Sequence, residues 1–224
     1  MHNSIKRTIL ALLITATTSF YSHAIAGNAS ANIGILSSYV SRGISLSDEK
    51  LSLSPGLHYQ ADNGFYTGFR SYTTGGAEPF FEIDGYAGYT KTLDNGFTYD
   101  VSLLTYQFPD QKTFGTDHFE EFSMKARYGM FEVSYARFLN SITEGDQYYS
   151  ISVTKPLDNG ITLSALVGHN DYSSNNDPMG LFDYTNYELS ASWKDFTLTA
   201  HYNDNELFEV DPKITLGWRK YFGF

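Results

Sequence analysis

The chain has 224 residues and no cysteine, with 15 Lys and Arg against 25 Asp and Glu. The absence of cysteine excludes a disulfide scaffold, a cysteine zinc site and thiol catalysis. A formal net charge of −10 argues against a nucleic-acid binder, which needs a basic surface. The slightly negative mean hydropathy of −0.30 excludes a helical membrane protein but leaves a membrane barrel open.

The first 26 residues have the organisation of a secretory signal peptide. Lys6 and Arg7 precede an apolar stretch, residues 9–16, and Ala24-Ile25-Ala26 provides small residues at a cleavage site. The apolar stretch is shorter than the roughly 20 residues of a membrane-spanning helix. We therefore predict a cleaved, Sec-type signal peptide over residues 1–26 and a mature domain over residues 27–224.

Apolar and polar residues alternate with period two through most of the mature sequence, which is typical of strands with one apolar face. Ile161, Leu163 and Ala165, for example, alternate with Thr162 and Ser164. Apolar residues do not recur at the three- and four-residue spacing of an amphipathic helix. The abundant Tyr, Phe, Thr and Val also favour strands.

Regularly spaced turns separate these runs. Asn-Gly pairs begin at Asn63, Asn95 and Asn159, which are 32 and 64 residues apart. Asn-Gly between alternating runs predicts a hairpin with a type I′ turn. Two further tight turns are expected at residues 127–129 and 193–195, so that one hairpin repeats about every 32 residues.

This repeat predicts an all-β fold of twelve strands. The strands are expected at residues 33–43, 51–60, 65–74, 80–91, 97–107, 118–127, 130–138, 148–156, 161–170, 184–193, 196–203 and 213–223. Tight turns and longer polar loops alternate between them. An even strand count with short turns at one end and longer loops at the other is typical of a transmembrane antiparallel up-and-down β-barrel in the bacterial outer membrane.

The outer face of such a barrel needs aromatic girdles where lipid meets water. Aromatic residues begin four strands just after a tight turn, and others lie on one face of the last strand. The predicted girdle is Phe65, Phe97, Phe131, Phe196, Trp218, Phe222 and Phe224. The final strand also resembles the C-terminal aromatic signal of outer-membrane barrels, so the barrel-assembly machinery is an expected partner, together with outer-membrane lipid and lipopolysaccharide.

Two segments carry a family resemblance. The first reads Tyr39-Val40-Ser41-Arg42-Gly43-Ile44-Ser45, and the second reads Asn63-Gly64-Phe65-Tyr66-Thr67-Gly68. The chain resembles the proteobacterial TorF family of porin-like proteins, whose domain is called Gcw_chp. The resemblance implies an outer-membrane location and, beyond that, a porin-like function.

Strand phase places ten charged residues inside the barrel. They are Arg42, Arg70, Glu82, Asp84, Asp100, Glu121, Lys125, Glu132, Glu188 and Arg219. One hypothesis is a basic wall facing an acidic wall across a small open pore, which passes small solutes or ions by passive diffusion. The alternative is that these charges pair into a salt-bridged plug in a structural or adhesive barrel.

Other functions find less support in the sequence. An outer-membrane hydrolase would need a Ser near His118 or His169, such as Ser123 or Ser173, but no Gly-x-Ser-x-Gly motif is present. The acidic loops could bind a hard cation, with Asp171, Asp177 and Asp183 as the best ligands, although solvated loops are the default. A soluble secreted barrel would leave the apolar face unexplained. We expect a monomer without cofactor or bound metal.

Overall fold

The computed structural model describes residues 27–73, 75, 81–109, 118–172, 182–205 and 211–224. Within these residues, twelve antiparallel strands form one closed barrel, and two short strands form a separate hairpin. The barrel strands are β1 (Gly27–Leu36), β4 (Ser52–Ala61), β5 (Phe65–Thr73), β6 (Phe81–Thr92), β7 (Thr98–Gln107), β8 (His118–Tyr128), β9 (Phe131–Phe138), β10 (Gln147–Pro156), β11 (Ile161–Asp171), β12 (Tyr184–Trp193), β13 (Phe196–Asn203) and β14 (Lys213–Gly223). The hairpin strands are β2 (Val40–Ser41) and β3 (Ile44–Ser45). The predicted fold class is confirmed.

The barrel closes between its first and last strands. In β1, Ile35 lies opposite Trp218 of β14 on one side and Leu53 of β4 on the other. Because no strand edge is left open, every strand can pair its backbone on both sides, as a sheet in lipid requires. In the described part of the chain, no helix has the length and hydrophobicity to cross a membrane.

Eleven of the twelve predicted strands agree with the structure within one residue at each end. The prediction for the first strand, residues 33–43, is wrong, because the observed strand spans Gly27–Leu36. After Leu36 the chain leaves the barrel wall, and Arg42 and Gly43 adopt positive φ values of 49° and 82°, which a strand cannot accommodate. This loop contains the β2–β3 hairpin, in which Val40 and Ile44 have the same strand preference as residues of the wall.

The predicted type I′ geometry of the Asn-Gly turns is also wrong. Only the glycines, Gly64, Gly96 and Gly160, have positive φ there, because a type I turn followed by a left-handed glycine forms each loop. In all three turns the Asn Oδ1 accepts a hydrogen bond from the N–H two residues further on, at 3.0–3.2 Å. The pair Arg42-Gly43 instead has the two positive φ values of a type I′ turn.

The barrel is polar inside and apolar outside. Large apolar side chains are exposed on the outer face, including Leu189 at 65 % and Leu103 at 57 %. The largest fully buried side chains are polar and comprise Asn186, Asn205, Asp84, Ser47, Ser52 and Ser54. A water-soluble domain has the reverse arrangement, so the outer face requires an apolar environment.

Candidate lumen and its constriction

All ten charged residues predicted to line the lumen face inward. Nine lie on barrel strands at positions that alternate with exposed apolar residues, as Glu132 does between Phe131 and Val133. Arg42 lies inside for a different reason, because it is at the tip of the β2–β3 hairpin. Residues 39–46, called the lumen hairpin below, reach across the interior of the barrel.

The tip of the lumen hairpin is held against β12 and β13. Asn203 Nδ2 donates a hydrogen bond of 2.8 Å to the carbonyl oxygen of Gly43, and the Tyr184 hydroxyl donates one of 3.0 Å to the carbonyl oxygen of Arg42. A Cβ on Gly43 would lie only 2.9 Å from the Cβ of Asn186 and 3.1 Å from that of Asn203. Glycine is therefore required here by both its backbone conformation and its close contact with two strands.

The side chain of Arg42 forms an ion pair with Glu121 on β8. Its guanidinium carbon lies 4.4 Å from the centre of the Tyr148 ring, which suits a cation–π contact. The Tyr106 hydroxyl donates a hydrogen bond of 3.1 Å to the other oxygen of Glu121. Burial alone would lower the pKa of Arg42, but the neighbouring Glu121 carboxylate raises it, so that Arg42 stays charged inside the barrel.

The base of the lumen hairpin is fixed by Tyr39. Its ring stacks on Tyr72 of β5 with a centroid distance of 3.9 Å, and its hydroxyl donates a hydrogen bond of 2.8 Å to Glu82 of β6. Burial and then the Glu82 carboxylate raise the pKa of the Tyr39 phenol well above its ordinary value. Tyr39 is therefore a neutral donor, and the hairpin is fixed at both its base and its tip.

The remaining inward charges are mostly paired with near neighbours. Arg70 Nε lies 2.8 Å from Asp84 on the adjacent strand. Four further inward charged residues contact side chains close to them: Asp100 contacts Tyr66, Glu132 contacts Arg127, Glu188 contacts His201, and Arg219 contacts Asn32 and Ser54. The predicted separation into a basic and an acidic wall is wrong for Arg42 and Arg70, because each arginine directly contacts a carboxylate.

Two cavities lie inside the barrel on either side of this arrangement. One, of about 250 Å³, is on the loop side and is lined by Glu82, Phe119 and Tyr172 among others. The other, of about 440 Å³, includes Lys125 and Ser134 in its lining. Ser41, Arg42 and Tyr106 line both cavities. The lumen hairpin therefore lies between the two cavities and contributes to the lining of both, and this region is called the constriction below.

Several residues that build this constriction are not among those predicted from the sequence. They are uncharged residues at inward positions: Tyr39, Tyr72, Tyr106, Tyr148, Tyr184, Asn186 and Asn203. Alternation predicts that the residues on barrel strands face inward, since each occupies a polar position of an alternating run, and Tyr39 belongs to the Tyr39–Ser45 motif. Their contacts with the hairpin cannot be predicted in this way, because the sequence pattern places the hairpin in the barrel wall.

The residues proposed for the girdle lie toward the tight-turn end. Phe65, Phe131, Phe196, Phe222 and Phe224 are between 46 % and 77 % exposed. Phe97 and Trp218 are half-buried, and Phe97 immediately precedes β7. Trp218 lies opposite Phe196, which places both on the outer face.

The candidate residues for catalysis and metal binding are not brought together by the described part of the structure. His118 and Ser123 lie on opposite faces of β8, because they are an odd number of residues apart. His169 faces outward, and Ser173 and Asp177 lie outside the described residues. Among the residues that are described, no group of three His, Asp or Glu side chains could hold a metal ion.

Comparison with solved structures finds several similar chains. "KdgM porin in complex with disordered oligogalacturonate" has a TM-score of 0.53 and 8 % identity, over 88 % of this chain and 99 % of that one. The COG4313 outer membrane channel from Pseudomonas putida F1 has a TM-score of 0.47 and 10 % identity, over 92 % and 98 % of the two chains. OccAB3 of Acinetobacter baumannii has a TM-score of 0.40 and 13 % identity, over 86 % and 60 %. At such low identity the likeness to the KdgM porin shows a shared fold.

Comparison with curated proteins gives no match. A family match covers residues 23–215 and carries the description "Bacterial protein of unknown function (Gcw_chp)". It includes both segments on which the resemblance was based, and it confirms the predicted Gcw_chp domain. The chain thus belongs to the Gcw_chp family of bacterial proteins.

Proposed function

We propose that this protein is an outer-membrane, porin-like channel that allows passive diffusion of small hydrophilic solutes or ions through a narrow charged lumen. The single observation that carries this proposal is the polar interior, in which two cavities meet at Arg42 inside a closed barrel. A barrel that served only as a scaffold would need neither cavity. We further propose that it acts as a monomer and without catalysis.

The outer face supports the membrane location. Its exposed apolar side chains are distributed over the strands around the barrel, for example Ile151 at 53 % exposure and Leu216 at 51 %. Contiguous apolar surface of this extent is not stable in water. The strands, of 8 to 12 residues, suit a bilayer crossing by tilted strands. We propose that Phe65, Phe131 and Phe196 contribute to the girdle at the periplasmic interface, and that residues 1–26 direct export.

The lumen supports passage of hydrophilic solutes. On β5–β9 its lining combines charged and tyrosine side chains with small polar residues such as Ser102, Ser123 and Ser134. On β10–β13 it consists mainly of Ser, Thr and Asn. Of the acidic and basic residues on these four strands, Glu188 and His201 face inward. Hydroxyl and amide groups can replace the water that a solute loses on entering a narrow passage. The KdgM porin was solved with oligogalacturonate; for this chain we propose only the broader class of small hydrophilic solutes.

A second candidate function has a specific observation in its favour. The Arg42–Glu121 and Arg70–Asp84 ion pairs and the lumen hairpin occupy the centre of the barrel. If the hairpin seals the lumen, the protein is a closed, salt-bridged barrel with a structural or adhesive role. Transport therefore has to be measured, since the same contacts define a constriction or a plug.

Solute flux into proteoliposomes separates these functions. Purified protein is reconstituted into liposomes, and the detergent is removed. The swelling rate of the liposomes is then measured with a graded series of neutral sugars and amino acids. We expect swelling that falls steeply with solute size. Swelling no faster than that of protein-free liposomes, for every solute including the smallest, would support the closed barrel. Failure of correctly folded protein to enter liposomes would contradict the membrane assignment itself.

A further inference from the structure

Among the residues that the structure describes, a single arginine faces outward near the loop end of the barrel. Arg137 is the penultimate residue of β9, and it shares the outer face with the exposed residues Phe131 and Val133. The lysines at outward strand positions of the described chain lie at the tight-turn end instead; they are Lys91, Lys155 and Lys220. Arg137 is therefore an isolated cation at the opposite rim.

The neighbours of Arg137 present a further hydrogen-bond donor. Gln147 of β10 lies directly opposite Arg137, and its Oε1 accepts hydrogen bonds from the hydroxyls of Tyr135 at 2.9 Å and Tyr149 at 2.8 Å. The two tyrosine rings lie 5.3 Å apart on the same outer face. Because both phenols engage the oxygen of Gln147, its amide N–H groups remain available beside the guanidinium.

The guanidinium of Arg137 has no direct partner within the described residues. Arg137 is exposed and makes no ion pair or hydrogen bond with any residue that the structure describes. Two outward acids lie nearby without pairing with it: Glu120 of β8, which is diagonal to Arg137 because Phe122 lies directly opposite, and Asp171 of β11, which lies opposite Gln147 and hence two strands from Arg137, roughly 10 Å away. An arginine without a direct partner on a lipid-facing surface is stabilised by an anion that binds it.

We propose that Arg137 and Gln147 bind the phosphate group of an anionic lipid of the outer leaflet. The planar guanidinium can donate two parallel hydrogen bonds to phosphate oxygens, and the Gln147 amide can donate a third. Tyr135 and Tyr149 lie where an aromatic belt contacts the head groups and upper acyl chains. The inference rests on the proposed function in one respect, since it requires the loop end of the barrel to face the outer leaflet.

Lipid binding by the purified barrel in neutral detergent tests the site. Native mass spectrometry compares phosphatidic acid with diacylglycerol of the same acyl chains, so that the two lipids differ only by the phosphate. The Arg137→Gln variant is compared with Lys155→Gln, which removes an outward cation at the opposite rim of the neighbouring strand. Heat-modifiable migration on a gel verifies that both variants are folded.

We expect wild type and K155Q to bind phosphatidic acid equally, and R137Q to bind it about tenfold more weakly, as for the loss of charge-assisted hydrogen bonds. Diacylglycerol should not bind saturably. Equal affinity of R137Q and wild type, or equal binding of the two lipids, would overturn the proposal. So would binding of inorganic phosphate alone as tightly as phosphatidic acid. Because this experiment needs no flux, its failure is distinguishable from failure of the channel function.

Discussion

Replacing Gly43 with alanine should displace the lumen hairpin and widen the channel. The added methyl group would lie 2.9 Å from the Cβ of Asn186 and 3.1 Å from that of Asn203. Both neighbours belong to paired barrel strands and cannot move aside easily. Overpacking of this kind costs about 2 kcal/mol, which lowers the ratio of docked to undocked hairpin about thirtyfold.

Gly96 provides a matched control for this substitution. Its φ of 83° is nearly equal to the 82° of Gly43, so alanine suffers the same left-handed backbone strain at both positions. No atom lies within 4 Å of a Cβ built on Gly96, however, because it is in an exposed tight turn. Comparing G43A with G96A therefore isolates the contact of the hairpin with the barrel wall.

Single-channel recording in planar bilayers measures the effect. G43A should show larger or more frequently fluctuating currents than wild type, whereas G96A should reproduce the wild-type current. If G43A and wild type have the same conductance and noise, the hairpin does not limit the passage. If G96A changes the current as much as G43A does, the effect comes from backbone strain and not from the contacts of Gly43.

Three further predictions follow from the ion pair, the hairpin base and the export signal. Arg42→Ala leaves the carboxylate of Glu121 unpaired and should increase cation selectivity, whereas Glu121→Gln should shift selectivity toward anions; reversal potentials in a salt gradient measure both, and equal shifts of the same sign would contradict the pairing. Tyr39→Phe leaves a Glu82 oxygen without its donor and should destabilise the folded barrel by about 1–3 kcal/mol, measured by urea titration of heat-modifiable migration; an unchanged midpoint would count against this role. The mature protein isolated from membranes should begin at Gly27, which intact mass determines, and retention of the preceding residues would refute the predicted cleavage.

The sequence was sufficient to predict the barrel wall because each wall residue follows a local rule. Alternation fixes which side chains face inward, and the Asn-Gly turns fix where strands end. Eleven strands and the inward phase of Glu121 or Asp84 depend only on these rules. Even the wrong turn type left the strand boundaries nearly unchanged, since in both geometries the next strand begins directly after the glycine.

The constriction could not be predicted because it depends on long-range contacts. Tyr39, Val40 and Ile44 have the strand preference of a wall segment, so local propensity alone extends the wall strand through Arg42. What ends the strand is docking with residues more than 140 positions away, as in the hydrogen bonds from Tyr184 and Asn203. For the same reason strand phase showed that Arg42 lies inside but gave no indication that Glu121 is its partner.

The most direct test of the account compares ion conductance with and without the lumen hairpin. Ser38 Oγ and Ser47 Oγ are only 3.3 Å apart, so a short Gly/Ser linker can replace residues 39–46 without straining the barrel. We predict that the wild-type barrel conducts measurably and that the variant conducts several-fold more in the same salt. Equal conductance of the two would contradict the constriction, and no conductance from either folded barrel would contradict the channel.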